Sequence, residues 1–170
     1  MIVKNLTCDF LISKIKKHKK YKSVLLDLID KMPKQKSKQS SNSDWFIDKD
    51  CHREYLSFFY ENVIRETMEE QTKHFKAHTW NITNGWFQQY YDNSFHDFHN
   101  HAFSNWANIY FLELPKPEDA TKIKVKNKIF KYSVKEGDLI TFPAHLLHMA
   151  PAISNNRKTV IAFNSNFCYI

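Results

Sequence analysis

The sequence predicts a mainly β domain with flanking α-helices, folded as a two-sheet jelly roll or barrel. Three observations predict it. From residue 80 onward, about eight short aromatic and β-branched runs follow one another with turn residues between them. Ahead of them, residues 52–76 carry an apolar stripe at helical spacing. The chain has 170 residues, 42% hydrophobic and 15% aromatic. That suffices for one domain with a sizeable core and argues against disorder along its whole length.

Residues 8–32 read as one or two helices. Phe10, Leu11 and Ile15 lead into a lysine cluster from Lys14 to Lys22, and Val24, Leu25, Leu28, Ile29 and Met32 recur at helical spacing. Residues 33–43 are polar and rich in helix breakers, as expected of a linker or exposed loop. Residues 1–43 therefore read as a basic helical N-terminal segment with its linker, and 44–170 as the β domain, including helix 52–76. In that helix Leu56, Phe59, Tyr60, Val63, Ile64, Thr67 and Met68 form the stripe, with Asp50 as N-cap. Strands are expected near 85–91, 97–101, 106–114, 121–125, 128–134, 138–142, 147–150 and 157–166. Pro115 to Asp119 and Lys135 to Asp138 supply turns.

The net charge of +7 is unevenly spread. Residues 1–50 hold 12 Lys against 6 Asp, and the rest of the chain is nearly balanced. The excess reads either as a solvated helical face or as a surface for nucleic acid or an acidic protein. The three cysteines, Cys8, Cys51 and Cys168, share no metal-type spacing, and their odd number argues against a disulfide framework. No secretory leader or membrane-spanning apolar run is visible, so no membrane partner and a cytoplasmic location are expected. The two glycines, Gly85 and Gly137, cannot make a glycine-rich phosphate loop.

The chemistry concentrates in histidines. His99 and His101 stand one residue apart in His96-Asp97-Phe98-His99-Asn100-His101, which on a strand puts both rings on one face. His148 lies in a later strand and completes three ligands of a catalytic metal site with open positions. His145 is its rival, three residues earlier. Arg157 follows nine residues after His148, a hairpin's reach, and its guanidinium suits a carboxylate. Thr159 shares its face by period two and can support the same carboxylate. Trp86, Gln88, Tyr90, Asn108 and Tyr110 sit at alternate strand positions as pocket candidates.

In this order, these residues resemble the 2-oxoglutarate- and Fe(II)-dependent oxygenase superfamily, most of all the short oxygenases of marine phages and bacteria. The resemblance spans roughly residues 80–167. It is carried by Trp86-Phe87-Gln88-Gln89-Tyr90, by His99-Asn100-His101 running into Ile109 to Leu112, by Gly137 to Pro143, by His148 to Pro151, and by Arg157-Lys158-Thr159 leading to Asn164. It implies a double-stranded β-helix, a jelly roll of the cupin-like kind. It implies that His99, His101 and His148 hold Fe(II), and that Arg157 with Thr159 anchors the distal carboxylate of 2-oxoglutarate. It further implies O₂ as co-substrate, hydroxylation of an unidentified substrate, and the host cytoplasm as location if the gene is a phage's. The sequence departs from the superfamily at His101, where an acidic residue is usual; Asp97 or His96 are alternatives for that ligand. Two rival readings stand: a cupin-like metal enzyme that does not use 2-oxoglutarate, and a non-enzymatic binding module with a basic N-terminal segment.

Overall fold

The computed structural model describes residues 8–36, 41–101, 103–154 and 156–169. The middle of the expected linker, residues 37–40, lies outside them. The described residues build two antiparallel sheets. The larger has the order β1 (Leu11–Lys14), β9 (Asp138–Pro143), β6 (Trp106–Glu113), β11 (Lys158–Cys168), β4 (Thr79–Tyr90), β3 (Asn42–Ser43), β2 (Gln35–Lys36). The smaller has the order β5 (His96–His99), β10 (Leu147–Ala150), β7 (Lys122–Val125), β8 (Lys128–Phe130). This is the jelly roll, and each expected run from residue 80 on overlaps one of the strands β4 to β11, but β4 begins at Thr79, six residues before the run expected at 85, β5 ends at His99 instead of 101, and β8 ends at Phe130 instead of 134.

Two cores follow from the two faces of the larger sheet. On its outer face Phe87, Tyr110, Leu139, Ile161 and Phe163 pack against the helices. On its inner face Tyr90, Ile109, Phe142 and Val160 pack against Ile123 and Ala150 of the smaller sheet. Strand β11 is central, so its residues are buried on both sides. Truncating fully buried Phe163 to Ala would cost about 3–5 kcal/mol.

The helical layer consists of α1 (His18–Lys31), α2 (Glu54–Phe58), a π-helical stretch (Phe59–Ile64) and α3 (Arg65–His74). The stripe of helix 52–76 faces the sheet as expected, with Phe59, Ile64 and Met68 fully buried. Asp50 is not its N-cap. The helix begins after Arg53, which makes no side-chain cap bond, and Asp50 instead donates its N–H to Asp48 Oδ1 at 3.1 Å. A second difference lies at 11–14, expected as helix. Leu11–Lys14 is an edge strand, because Ile12 and Leu11 find partners in Ile140 and Thr141, far along the chain. Helix α1 then buries Leu25 and Ile29 in the outer core. Part of the lysine excess is absorbed internally, since Lys22 pairs with Glu136, and Lys16 with Glu66 and Glu70. Among the described residues no helix is long and apolar enough to cross a membrane.

Candidate metal centre

Three imidazoles meet where β5 and β10 run side by side. The register sets His148 directly opposite His99. His101 lies just past the end of β5, held by its N–H donating to Ala144 O at 2.9 Å. The ring centroids of His99 and His148 are 4.2 Å apart, those of His101 and His148 4.7 Å, and those of His99 and His101 5.4 Å. One ligand atom from each lies within 4.8 Å of the others, so the three could hold one metal ion.

Each ring is oriented from behind. His99 Nδ1 lies 2.8 Å from Asp97 O and His148 Nδ1 lies 3.0 Å from Leu146 O. A carbonyl only accepts, so both Nδ1 atoms carry the proton and donate it. His101 Nδ1 is 2.6 Å from Asn164 Oδ1, the same arrangement with a side-chain acceptor. In all three the lone pair is thereby left on Nε2, the form a metal needs. Burial keeps the rings neutral. It lowers His99 below the usual imidazole range, and pushes His101 down to about 4 and His148 to about 3, where neighbouring His99 adds to the effect. A divalent cation meets three neutral donors here and no carboxylate.

The rival ligands stand elsewhere. The His145 side chain is exposed, as is that of Asp97. His96 lines the same cavity and stacks on His99 at 4.1 Å, outside the three-ligand group. Its Nδ1 accepts from Gln88 Nε2 at 3.3 Å, so its proton sits on the other nitrogen. Of the pocket candidates, Trp86, Gln88 and Tyr90 line the cavity, a narrow space of about 20 Å³ that opens to solvent. Asn108 and Tyr110 face the helices. Asn108 bonds Ser165 and Thr141, and Tyr110 meets His18.

Arg157 and Thr159 are not where the sequence reading put them. Arg157 grips Glu113 through two bonds, Nε to Oε2 at 2.7 Å and Nη2 to Oε1 at 2.8 Å, and Thr159 Oγ1 donates to the same carboxylate at 2.5 Å. The reason is strand parity. Thr159 shares the outer face of β11 with Ile161 and Phe163, while Lys158 shares the inner face with Val160 and Ala162, which line the cavity. The cation the interior holds is therefore Lys158. It is fully buried; its ammonium donates to Asp119 O at 2.8 Å and lies 4.6 Å from the ring centre of Tyr90. Desolvation pushes its pKa down to about 7, against a smaller upward pull from the Asp119 carboxylate. Sequence reasoning missed it. The available signal was its period-two relation to Val160, Ala162 and Asn164.

No protein-family model matches the chain, and no curated protein matches its sequence. Solved structures do match its fold. A 2OG-Fe(II) oxygenase family oxidoreductase from Burkholderia pseudomallei superposes with a TM-score of 0.73 at 9% identity, covering 94% of this chain and 86% of that one. The viral collagen prolyl hydroxylase of Paramecium bursaria Chlorella virus-1, in complex with 2OG, gives 0.63 at 14%, covering 92% and 94%. HygX from Streptomyces hygroscopicus, with nickel and 2-oxoglutarate bound, gives 0.69 at 9%, covering 92% and 82%. At these identities the likeness establishes the jelly-roll architecture shared with these oxygenases, over nearly the whole chain.

Proposed function

We propose that the chain is an Fe(II)- and 2-oxoglutarate-dependent oxygenase that hydroxylates an organic substrate, with His99, His101 and His148 as metal ligands. The observation that carries this reading is a pair of features on the inner side of the larger sheet. Three imidazoles present neutral Nε2 atoms to one point, and the fully buried Lys158 ammonium shares the inner face of β11 with Val160 and Ala162, which line the same cavity as the imidazoles. A dicarboxylate satisfies both ends, chelating the metal with one and neutralising Lys158 with the other.

In this reading Lys158 takes the anchoring role first given to Arg157, with Tyr90 and Thr121 forming the walls beside it. Bound Fe(II) and 2-oxoglutarate supply the oxidising chemistry, with O₂ consumed and succinate and CO₂ released. The protein's own part is positional. Asp97 O, Leu146 O and Asn164 Oδ1 fix the imidazoles, while Ile109, Val160 and Ala162 keep the floor dry. The histidine in place of the usual acid leaves the centre one unit more positive, which favours anionic co-ligands.

Anaerobic calorimetry with Fe(II) and then 2-oxoglutarate tests the reading. Binding of 2-oxoglutarate should require the metal and should disappear in His148→Ala, and aerobic turnover should release succinate. The three-imidazole set also suits a cupin-like enzyme that does not use 2-oxoglutarate. Metal binding with no 2-oxoglutarate binding would select that reading instead.

A further inference from the structure

Strand β4 has an open edge beside the metal cavity. At Gln88 and Gln89 that edge is closed by β3. At Phe87 it is closed by side chains: Ser43 Oγ donates to Phe87 O at 2.9 Å, and Phe87 N–H donates to Asp44 Oδ1 at 3.0 Å. In an antiparallel strand alternate residues turn their main-chain groups to the same edge, so Gly85 faces the way Phe87 does. Among the described residues, only β11 pairs with Thr79 to Trp86. The N–H and C=O of Gly85 thus stand ready for a further strand. Exposed edges are normally blunted by charged residues, by proline or by shortness. The stretch Thr79-Trp80-Asn81-Ile82-Thr83-Asn84-Gly85 has no charge and no proline.

The edge borders a groove of about 630 Å³, walled opposite by Trp45, Ile47 and Lys49. Two irregularities of the fold converge on it. The π-helical stretch carries Tyr60 into its lining, where the hydroxyl is buried without a hydrogen-bond partner. A bulge in the β4–β11 pairing falls at Thr83, a feature that re-aims strands next to functional sites. Trp86 belongs to both spaces. It lines the groove and the metal cavity, with its ring 4.4 Å from Trp45 and 5.3 Å from His101.

We infer that this groove takes an extended polypeptide, added as a strand along Thr79–Gly85, so that one of its side chains passes Trp86 toward the metal cavity. Main-chain groups are complemented by another main chain, with side-chain pockets at alternate positions. The cations at the groove do not suit a phosphate backbone. Arg53 spends its donors on Asp44, Asp48, Ile47 and Cys51, leaving Lys49 alone at the rim. The peptide favoured by Lys49 and by the net charge of +7 is an acidic one. The fate of the inserted side chain rests on the oxygenase reading; the docking itself does not need the metal.

The test is a displayed library of random peptides, each long enough to pair with Thr79–Gly85, selected on the metal-free full chain. Selected peptides are then compared with their singly N-methylated forms by fluorescence anisotropy. Methylating an amide that faces Gly85 should weaken binding about five- to tenfold, and methylating its neighbour should not. Exchange of the Gly85 amide proton should slow in the complex, and Trp45→Ala should weaken binding while leaving metal uptake intact. Failure to select any peptide overturns the inference, as does indifference to methylation or unchanged exchange at Gly85. Preference for a single-stranded oligonucleotide over every selected peptide overturns it too. Because His148→Ala should still bind the peptide, this result is read independently of whether 2-oxoglutarate is turned over.

Discussion

Replacing Lys158 with methionine should make the protein more stable and unable to bind 2-oxoglutarate. Its ammonium has an ordinary pKa of 10.5 in the unfolded chain and about 7 in the folded one, because burial strips its hydration. Between those values the unfolded chain holds the extra proton, so stability rises with pH across that window. Below about pH 7 the folded protein carries the full cost, roughly 3.5 units at 1.36 kcal/mol each, or about 5 kcal/mol. At about pH 9 the same relation leaves roughly 2 kcal/mol. Methionine removes this cost but leaves Asp119 O without its donor, a loss of about 1 kcal/mol. Lys158→Met should therefore gain about 4 kcal/mol near pH 6, or roughly 10 °C in Tm, and only about 1 kcal/mol near pH 9. The 2-oxoglutarate affinity should fall at least about 100-fold, since the distal carboxylate would be buried unpaired. Urea unfolding at both pH values, with calorimetry, measures both effects. A variant no more stable than wild type at the lower pH, or one binding 2-oxoglutarate within tenfold of it, would refute the reasoning.

Three further outcomes are expected. Arg157→Ala should leave 2-oxoglutarate binding within about twofold, because its partner is Glu113, and cost about 1 kcal/mol after allowing for solvent screening; calorimetry and urea unfolding check the two halves. Asn164→Ala should weaken metal binding by about 10–100-fold, since His101 loses the acceptor that orients it, as metal titration would read. Gly85→Ala drives a β-carbon into Tyr60 Oη and should cost about 1–3 kcal/mol; adding Tyr60→Phe should restore most of it, which denaturation of the double variant would show.

Much of the fold could be read from the sequence because strands β4 to β11 are rich in aromatic or β-branched residues or bounded by turns. The three-imidazole cluster was legible for a related reason. His99 and His101 announce themselves as a pair, and His148 was preferred to His145 because it stands where a strand begins, which is where β10 places it. Strand β1 was not legible, since its partner β9 lies more than a hundred residues away and nothing local distinguishes Leu11–Lys14 from the start of a helix. The π-helical stretch was hidden because its residues keep the same stripe. The inward place of Lys158 was hidden for a deeper reason. Alternation gives two faces, and an amphipathic strand shows which one is inside, but β11 is buried on both. A lysine at the start of so hydrophobic a strand looks like its solvent-facing end, when it is in fact fully buried.

The way the three imidazoles are held bears on how such a centre can change over generations. Two of them lean on carbonyls two positions back along the chain, so no substitution at Asp97 or Leu146 deletes the acceptor. Only the third depends on a side chain supplied by another strand. In the proposed metal centre, drift in metal preference would thus be channelled through a single pair, His101 and Asn164, where a lineage could exchange imidazole for acid without disturbing how the other two rings are held.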